Sequence, residues 1–136
     1  MQVQPYLHFN GLCDQAIEFY KSAVGAKVEM LMRFKECPEP HSPAMNPAMA
    51  NKVMHASLRI GDSTVLVSDG RCDGQTKFDG FSMSITVSND AEAQRAFNAL
   101  AQGGKVNMPL AKTFFSSNFG MLVDRFGVSW MVYVAQ

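Results

Sequence analysis

Hydrophobic and polar positions along the chain follow two periods. Alternation with period two runs through 3–9, 28–35, 53–60, 64–69, 81–87, 105–108, 119–123 and 128–134, which predicts strands. Helical spacing replaces it over about 13–24, where Ala16, Ile17, Tyr20 and Val24 fall on one face. The same spacing returns after Ser88-Asn89, where Ala93, Ala96, Phe97 and Leu100 form a second apolar stripe. Gly25 and Gly103-Gly104 suit the ends of these helices. Asn89 can accept from the exposed N–H groups of the second helix, and Glu92 three residues on resembles a capping box. Gly61-Asp62, lodged between two strand runs, predicts a tight hairpin.

An internal repeat organises these elements. Gly25-Ala26-Lys27-Val28-Glu29-Met30 recurs as Gly103-Gly104-Lys105-Val106-Asn107-Met108, an offset of 103 − 25 = 78 positions. The same offset pairs Phe19 with Phe97, and Leu7 and Phe9 with Ile85 and Val87. Each copy reads as strand, helix, then three strands. The fold class expected is α+β: two tandem βαβββ modules forming a curved mixed sheet around a cavity, with helices on the outer face. A single domain spans 1–136, module one covering about 1–70 and module two about 80–136.

Strand parity sorts side chains between two faces. Leu7 and Phe9, Met54, Ala56, Leu58 and Ile60, Met83, Ile85 and Val87, and Val128, Trp130, Val132 and Val134 share the oily face. Apolar area left in water costs roughly 25 cal/mol per Å², so this face must meet the helices. The opposite face gathers Gln4, Tyr6, His8, His55, Ser57, Arg59, Ser82, Ser84, Met131 and Tyr133. Hydroxyls and aromatics with few charges suit a ligand pocket better than a solvent surface, which is usually richer in Lys and Glu. Met30, Met32, Met54, Met83, Met121 and Met131 lie in strands and are expected to fill irregular gaps in the core.

Composition narrows the function classes. Twelve basic side chains balance twelve acidic ones among 136 residues, and no basic stripe appears, so nucleic acid is not expected as a partner. No apolar run approaches the roughly 18 residues of a membrane span, and Met1 to Pro5 lack the layout of a signal peptide. Three scattered cysteines (Cys13, Cys37, Cys72) then read as free thiols of a reducing cytoplasm, without the C-x-x-C pairs of a metal knot. The interval from Glu36 to Lys52 holds Pro38, Pro40, Pro43 and Pro47, which predicts a loop, either a lid over a site or a plain surface insertion.

Specific strings carry a family resemblance. Pro5-Tyr6-Leu7-His8-Phe9-Asn10-Gly11 followed by Ala16-Ile17-Glu18-Phe19-Tyr20, then Val53-Met54-His55-Ala56, Leu58-Arg59-Ile60-Gly61-Asp62-Ser63 and Ser68-Asp69-Gly70, resemble the PhnB-like branch of the vicinal oxygen chelate superfamily. The closing run from Gly120 to Trp130, with Asp124-Arg125-Phe126-Gly127 at its centre, is the most specific element. The superfamily includes glyoxalase I, bleomycin-resistance proteins, fosfomycin-resistance enzymes and extradiol dioxygenases. The branch often carries the label 3-demethylubiquinone 3-methyltransferase. The sequence supports no methyl transfer, having no glycine-rich strand-to-helix turn for a nucleotide-like cofactor and being short for such a fold.

The resemblance implies a divalent metal on the polar face, held by His, Glu or Gln from the first and last strands of each module. Carried over strand by strand, those positions fall at or beside Gln4, Leu66, Ser82 and Met131. Gln4 can ligate, Leu66 cannot, a serine is a poor ligand, and a thioether suits soft ions. No cofactor is therefore expected, and a divalent metal is disfavoured. His8 and His55 share the face, but two ligands fall short of the three protein ligands of a catalytic zinc. Three roles stay open for each: a hydrogen-bonding residue shaping the pocket, an acid or base near neutrality, or a metal ligand. His55 is the candidate catalytic residue. Arg59 either pairs with an anionic substrate or is a solvated strand residue. The expected function is small-molecule binding without the usual metal. The alternative is a metal-dependent lyase, isomerase or dioxygenase with a rearranged site. The resemblance further implies a homodimer.

Overall fold

A computed structural model of the chain describes residues 1–36, 48–70 and 76–136. Most of the proline-rich interval (37–47) and both Cys37 and Cys72 lie outside the described residues. The chain divides into two compact units, Met1–Thr76 and Lys77–Gln136.

The first unit runs β1 (Tyr6–His8), α1 (Cys13–Val24), β2 (Lys27–Arg33), a 3-10 turn (Phe34–Glu36), β3 (Val53–Ile60) and β4 (Ser63–Ser68). The second runs β5 (Met83–Val87), α2 (Asp90–Ala101), β6 (Lys105–Ala111), β7 (Phe119–Val123) and β8 (Ser129–Val134). Strand orders β1-β4-β3-β2 and β5-β8-β7-β6 match. In each, the first strand pairs in parallel with the last, and the other pairs are antiparallel. The described strands thus form two four-stranded mixed sheets, each βαβββ, with no closed barrel.

Helix burial follows the predicted stripes. Ala93, Ala96, Phe97 and Leu100 of α2 are buried, and α2 lies over β7 and β8, whose Leu122, Trp130, Val132 and Val134 are buried too. In α1 the buried positions are Cys13, Ala16, Ile17, Tyr20 and Ala23, so the last turn presents Ala23 where Val24 was expected. Gly25 closes α1 in the left-handed region at φ 68. α2 ends a residue earlier than the glycine pair, at an extended Gln102. Gly104 has a different reason to be glycine: a Cβ there would collide with the carbonyl oxygen of Val123.

Three expectations are corrected. β1 is confined to Tyr6–His8, and β5 begins at Met83, which leaves Ser82 just outside the ladder. β6 continues through Pro109 to Ala111 because it is the sheet edge and its pairing slips between Met108 and Ala111, where a missing N–H is tolerated. The strand methionines do not fill the core. Met30 is 43% exposed, Met32, Met54, Met83, Met121 and Met131 are half-buried, and among the described residues the buried methionine is Met49. Parity puts most of them opposite the helices. Met54 is displaced by a register slip between β2 and β3 that buries Val53 instead.

Two buried carboxylates pin the connections. Asp69, 1% exposed, accepts from the backbone N–H groups of Gly11, Cys13 and Val53, each at 2.8 Å. The residue capping α1 is Leu12, which has no side-chain acceptor, so Asp69 supplies from the end of β4 the acceptor the helix start lacks. In the second unit Asp124 accepts from Phe126 N–H at 2.8 Å, Val128 N–H at 3.1 Å and Trp130 Nε1–H at 2.8 Å. That explains why the Asp124–Trp130 string reads so distinctly: it is a turn folded around one carboxylate. No buried side-chain nitrogen or oxygen lacks a partner among the described residues.

Asp69→Ala is expected to destabilise the chain by at least about 3 kcal/mol, because three backbone donors lose their acceptor in a dry site. Asp69→Asn should fall between, since an amide offers one acceptor oxygen. Urea unfolding checks both, and an alanine variant with the parental midpoint would refute the role assigned to this carboxylate.

Candidate functional site

In the first unit, the face of the sheet away from α1 carries an aromatic and imidazole cluster. Tyr6 and His8 are two apart on β1, so the pleat puts both rings on one side, where they stack with centroids 4.8 Å apart and planes at 16°. The Tyr6 ring also meets His55 of β3, with centroids 5.4 Å apart. The phenol Oη lies 2.7 Å from His55 Nδ1. With the imidazole proton on Nε2 the phenol donates to Nδ1, and with the other tautomer Nδ1–H donates to the phenol oxygen. Either way Nδ1 is committed, and Nε2 is the nitrogen left to meet a ligand.

His8 is held in the same manner. Its Nδ1 lies 2.9 Å from the hydroxyl of Ser68, which is buried and also accepts from Gly70 N–H at 3.0 Å. The strand ladder aligns Tyr6, Leu66, Ser57 and Met30 in one row across β1, β4, β3 and β2. Arg59 is not left for an anion: its Nε donates to Glu29 at 3.2 Å, both side chains being about half exposed. Gln4 precedes β1, where the neighbouring Pro5 carbonyl accepts from Leu66 N–H.

The second unit repeats the ladder with different chemistry. Ser84, Met131, Met121 and Met108 form the equivalent row across β5, β8, β7 and β6. Leu66 and Met131 therefore occupy matching places in the two sheets, as Tyr6 and Ser84 do. Tyr133 lies between Thr86 and Phe119 in register. At the end of this face a cleft of about 620 Å³ opens, walled by Phe78, Phe81, Ser82, Ser129 and Met131, with Asp79 beside them. The Ser82 hydroxyl donates to that of Ser129 at 3.1 Å. The volume falls within the range of small-molecule sites.

Two residue groups thus emerge from the predicted set: Tyr6, His8 and His55 in the first unit, and Ser82 with Met131 in the second. Sequence reasoning missed Phe78, Asp79 and Phe81: the first two belong to no alternating run, and Phe81 opens the run 81–87 with the parity of its oily face but precedes β5 in the structure. Two phenylalanines flanking an Asp-Gly pair were the available signal. Cys13 takes no part in either group. It is fully buried, and burial, reinforced by the carboxylates of Asp69 and Asp14, pushes its thiol well above the ordinary range, which leaves it protonated and unreactive.

A family model described as 3-demethylubiquinone-9 3-methyltransferase matches residues 1–133. The chain belongs to that family, the PhnB-like branch. Protein YjdN of Escherichia coli K12 is 32% identical to it over 142 residues, spanning 100% of this chain and 97% of YjdN. Among solved structures, protein PA1353 from Pseudomonas aeruginosa superposes on this PhnB-like chain with a TM-score of 0.85 and 42% identity, covering 100% and 98% of the two chains. The PhnB protein from Bacillus cereus gives a TM-score of 0.81 at 26% identity, covering 99% and 100%. The fosfomycin-resistance protein FosX from Listeria monocytogenes, at 9% identity and a TM-score of 0.66 over 100% and 93%, shares the fold alone. The family match and the likeness to PA1353 and to the PhnB protein place the chain in the vicinal oxygen chelate superfamily that its sequence resembles. No group of three His, Cys, Asp or Glu side chains able to hold a metal occurs among the described residues. No helix among them is long and apolar enough to cross a membrane.

Tyr6→Phe is expected to leave stability within about 1 kcal/mol of the parent, since the bond it removes is near the surface. It should shift the ring-nitrogen resonances of His55 in long-range ¹H–¹⁵N spectra. Unchanged His55 signals would show that the phenol does not hold the imidazole in solution.

Proposed function

We propose that the chain is a small-molecule-binding member of the PhnB-like family that works without the superfamily's usual divalent metal. One observation carries the reading: Ser82 and Met131, two of the four positions that would hold the metal, are instead wall residues of the 620 Å³ cleft. Ser82 engages Ser129, and the Met131 thioether is a poor match for the hard or borderline divalent ions of the superfamily. The matching place in the first unit is Leu66, whose side chain has no donor atom. Within the first unit, His55 Nε2 is the group we assign to proton transfer, with Tyr6 fixing the ring at Nδ1. Methyl transfer forms no part of this reading, because neither sheet is the doubly wound parallel type that seats a nucleotide-like cofactor at a strand end.

The rival reading puts a metal on His8 and His55. It is favoured by the Tyr6 ring, which touches both imidazoles. It is weakened by donor number, since two imidazoles are short of the usual three protein ligands. Purified protein should carry well below one metal per chain and take up no stoichiometric Ni, Mn, Zn or Fe on titration. Stoichiometric uptake that His55→Ala abolishes would overturn the metal-free reading.

A homodimer accompanies this proposal. Val28 and Met30 on edge strand β2, and Val106 and Met108 at the equivalent places on edge strand β6, are large apolar side chains at least 40% exposed. Such rows on unpaired edges favour coverage by another chain. Light scattering at micromolar concentration should give the mass of two chains, and the mass of one would rule the dimer out.

A further inference from the structure

We propose that the cleft of the second unit takes a flat aromatic ligand bearing a cationic amine, with its ring against Phe78 and Phe81 and its ammonium toward Asp79. The inference rests on the reading of that cleft as the ligand site and adds the chemical class.

The wall dictates the body of the ligand. Phe78 and Phe81 stand edge to face with centroids 6.4 Å apart, an arrangement that offers one ring face and one ring edge to a third aromatic group. Met131 completes that side with a polarisable thioether, which packs favourably against aromatic edges. A flat aromatic ring matches this wall through both its face and its edge.

Charge dictates the head group. Asp79 is the sole ionisable residue in the described lining, and no cation lies among those residues. Its nearest ion-pair partner, Lys77, is 3.7 Å away, and the two side chains are 82% and 77% exposed, so the pair is weak and leaves the carboxylate open to a ligand. An anionic ligand would meet like charge with nothing in the wall to offset it. An ammonium gains both the carboxylate and the negative faces of the phenylalanine rings. Ser129 lines the cleft and accepts from the Ser82 hydroxyl, and a hydroxyl oxygen has capacity for a second donor such as a ligand N–H.

The test uses the full chain and three probes that share one ring: 1-naphthylmethylamine, 1-naphthylmethanol and 1-naphthoic acid. Each is titrated at neutral pH and followed through backbone amide resonances. The amine should move the amides of Phe78, Phe81, Ser129 and Met131 and bind about tenfold more tightly than the acid. Asp79→Asn, a change at an exposed side chain, should weaken the amine to the affinity of the alcohol and leave the alcohol unchanged. Equal binding of all three at these amides, insensitive to Asp79→Asn, would overturn the charge assignment while keeping the cleft as a ligand site. No response at the cleft to any probe would overturn the aromatic class. Aliphatic and sugar fragments run on the same sample then report whether the cleft binds small molecules at all.

Discussion

Each unit depends on a buried carboxylate that gathers backbone N–H groups from segments distant in the chain. Burying a carboxylate is costly unless donors replace its water, and Asp69 and Asp124 each receive three. The return is geometric. Asp69 binds the end of β4 to the start of β3 and to the entry of α1, so the two β1-flanking connections cannot drift independently. The loop it holds includes Asn10 and Gly11, both at positive φ, and the Gly11 carbonyl is anchored further by Lys52 Nζ at 3.0 Å. With that loop fixed, β1 keeps its register against β4, and Tyr6 and His8 keep their side of the sheet. The imidazole cluster thus depends on a carboxylate whose hydrogen bonds go to the backbone of Gly11, Cys13 and Val53.

The two units share a backbone plan and have parted in side-chain chemistry. Row for row, Tyr6–Leu66–Ser57–Met30 corresponds to Ser84–Met131–Met121–Met108. The first unit concentrates rings that hydrogen-bond and stack, while the second concentrates thioethers and hydroxyls beside an aromatic cleft. Duplication preserves what packing requires, such as the small and apolar residues under the helices. The open face is under no such constraint. Its chemistry is free to differ, and the pairing of Leu66 with Met131 at matching places in the two sheets is one such difference.

Much of the fold was legible in sequence because its determinants are local or periodic. The stripe of α2 from Ala93 to Leu100, the Asn89 cap accepting from Glu92 N–H at 2.8 Å and the left-handed Gly25 each depend on residues within a few positions of one another. Strand parity likewise predicted that Tyr6, His8 and His55 would share a face. Parity could not anticipate the bulge that moves Met54, nor show that Arg59 would be engaged by Glu29, because both depend on how β2 pairs with β3.

The sequence by itself determined the βαβββ repeat, the positions of both helices and the family, since each rests on spacing along the chain. Only the tertiary structure decided which polar residues meet. The Tyr6–His55 contact spans 49 positions and the reach of Asp69 to Gly11 spans 58, distances over which no periodicity carries information. The cleft belongs to the same class: Phe78 and Phe81 gain meaning only when the β7–β8 turn and Met131 are folded beside them. Contacts of that kind are set by closure of the chain on itself, and a linear pattern cannot encode their partners.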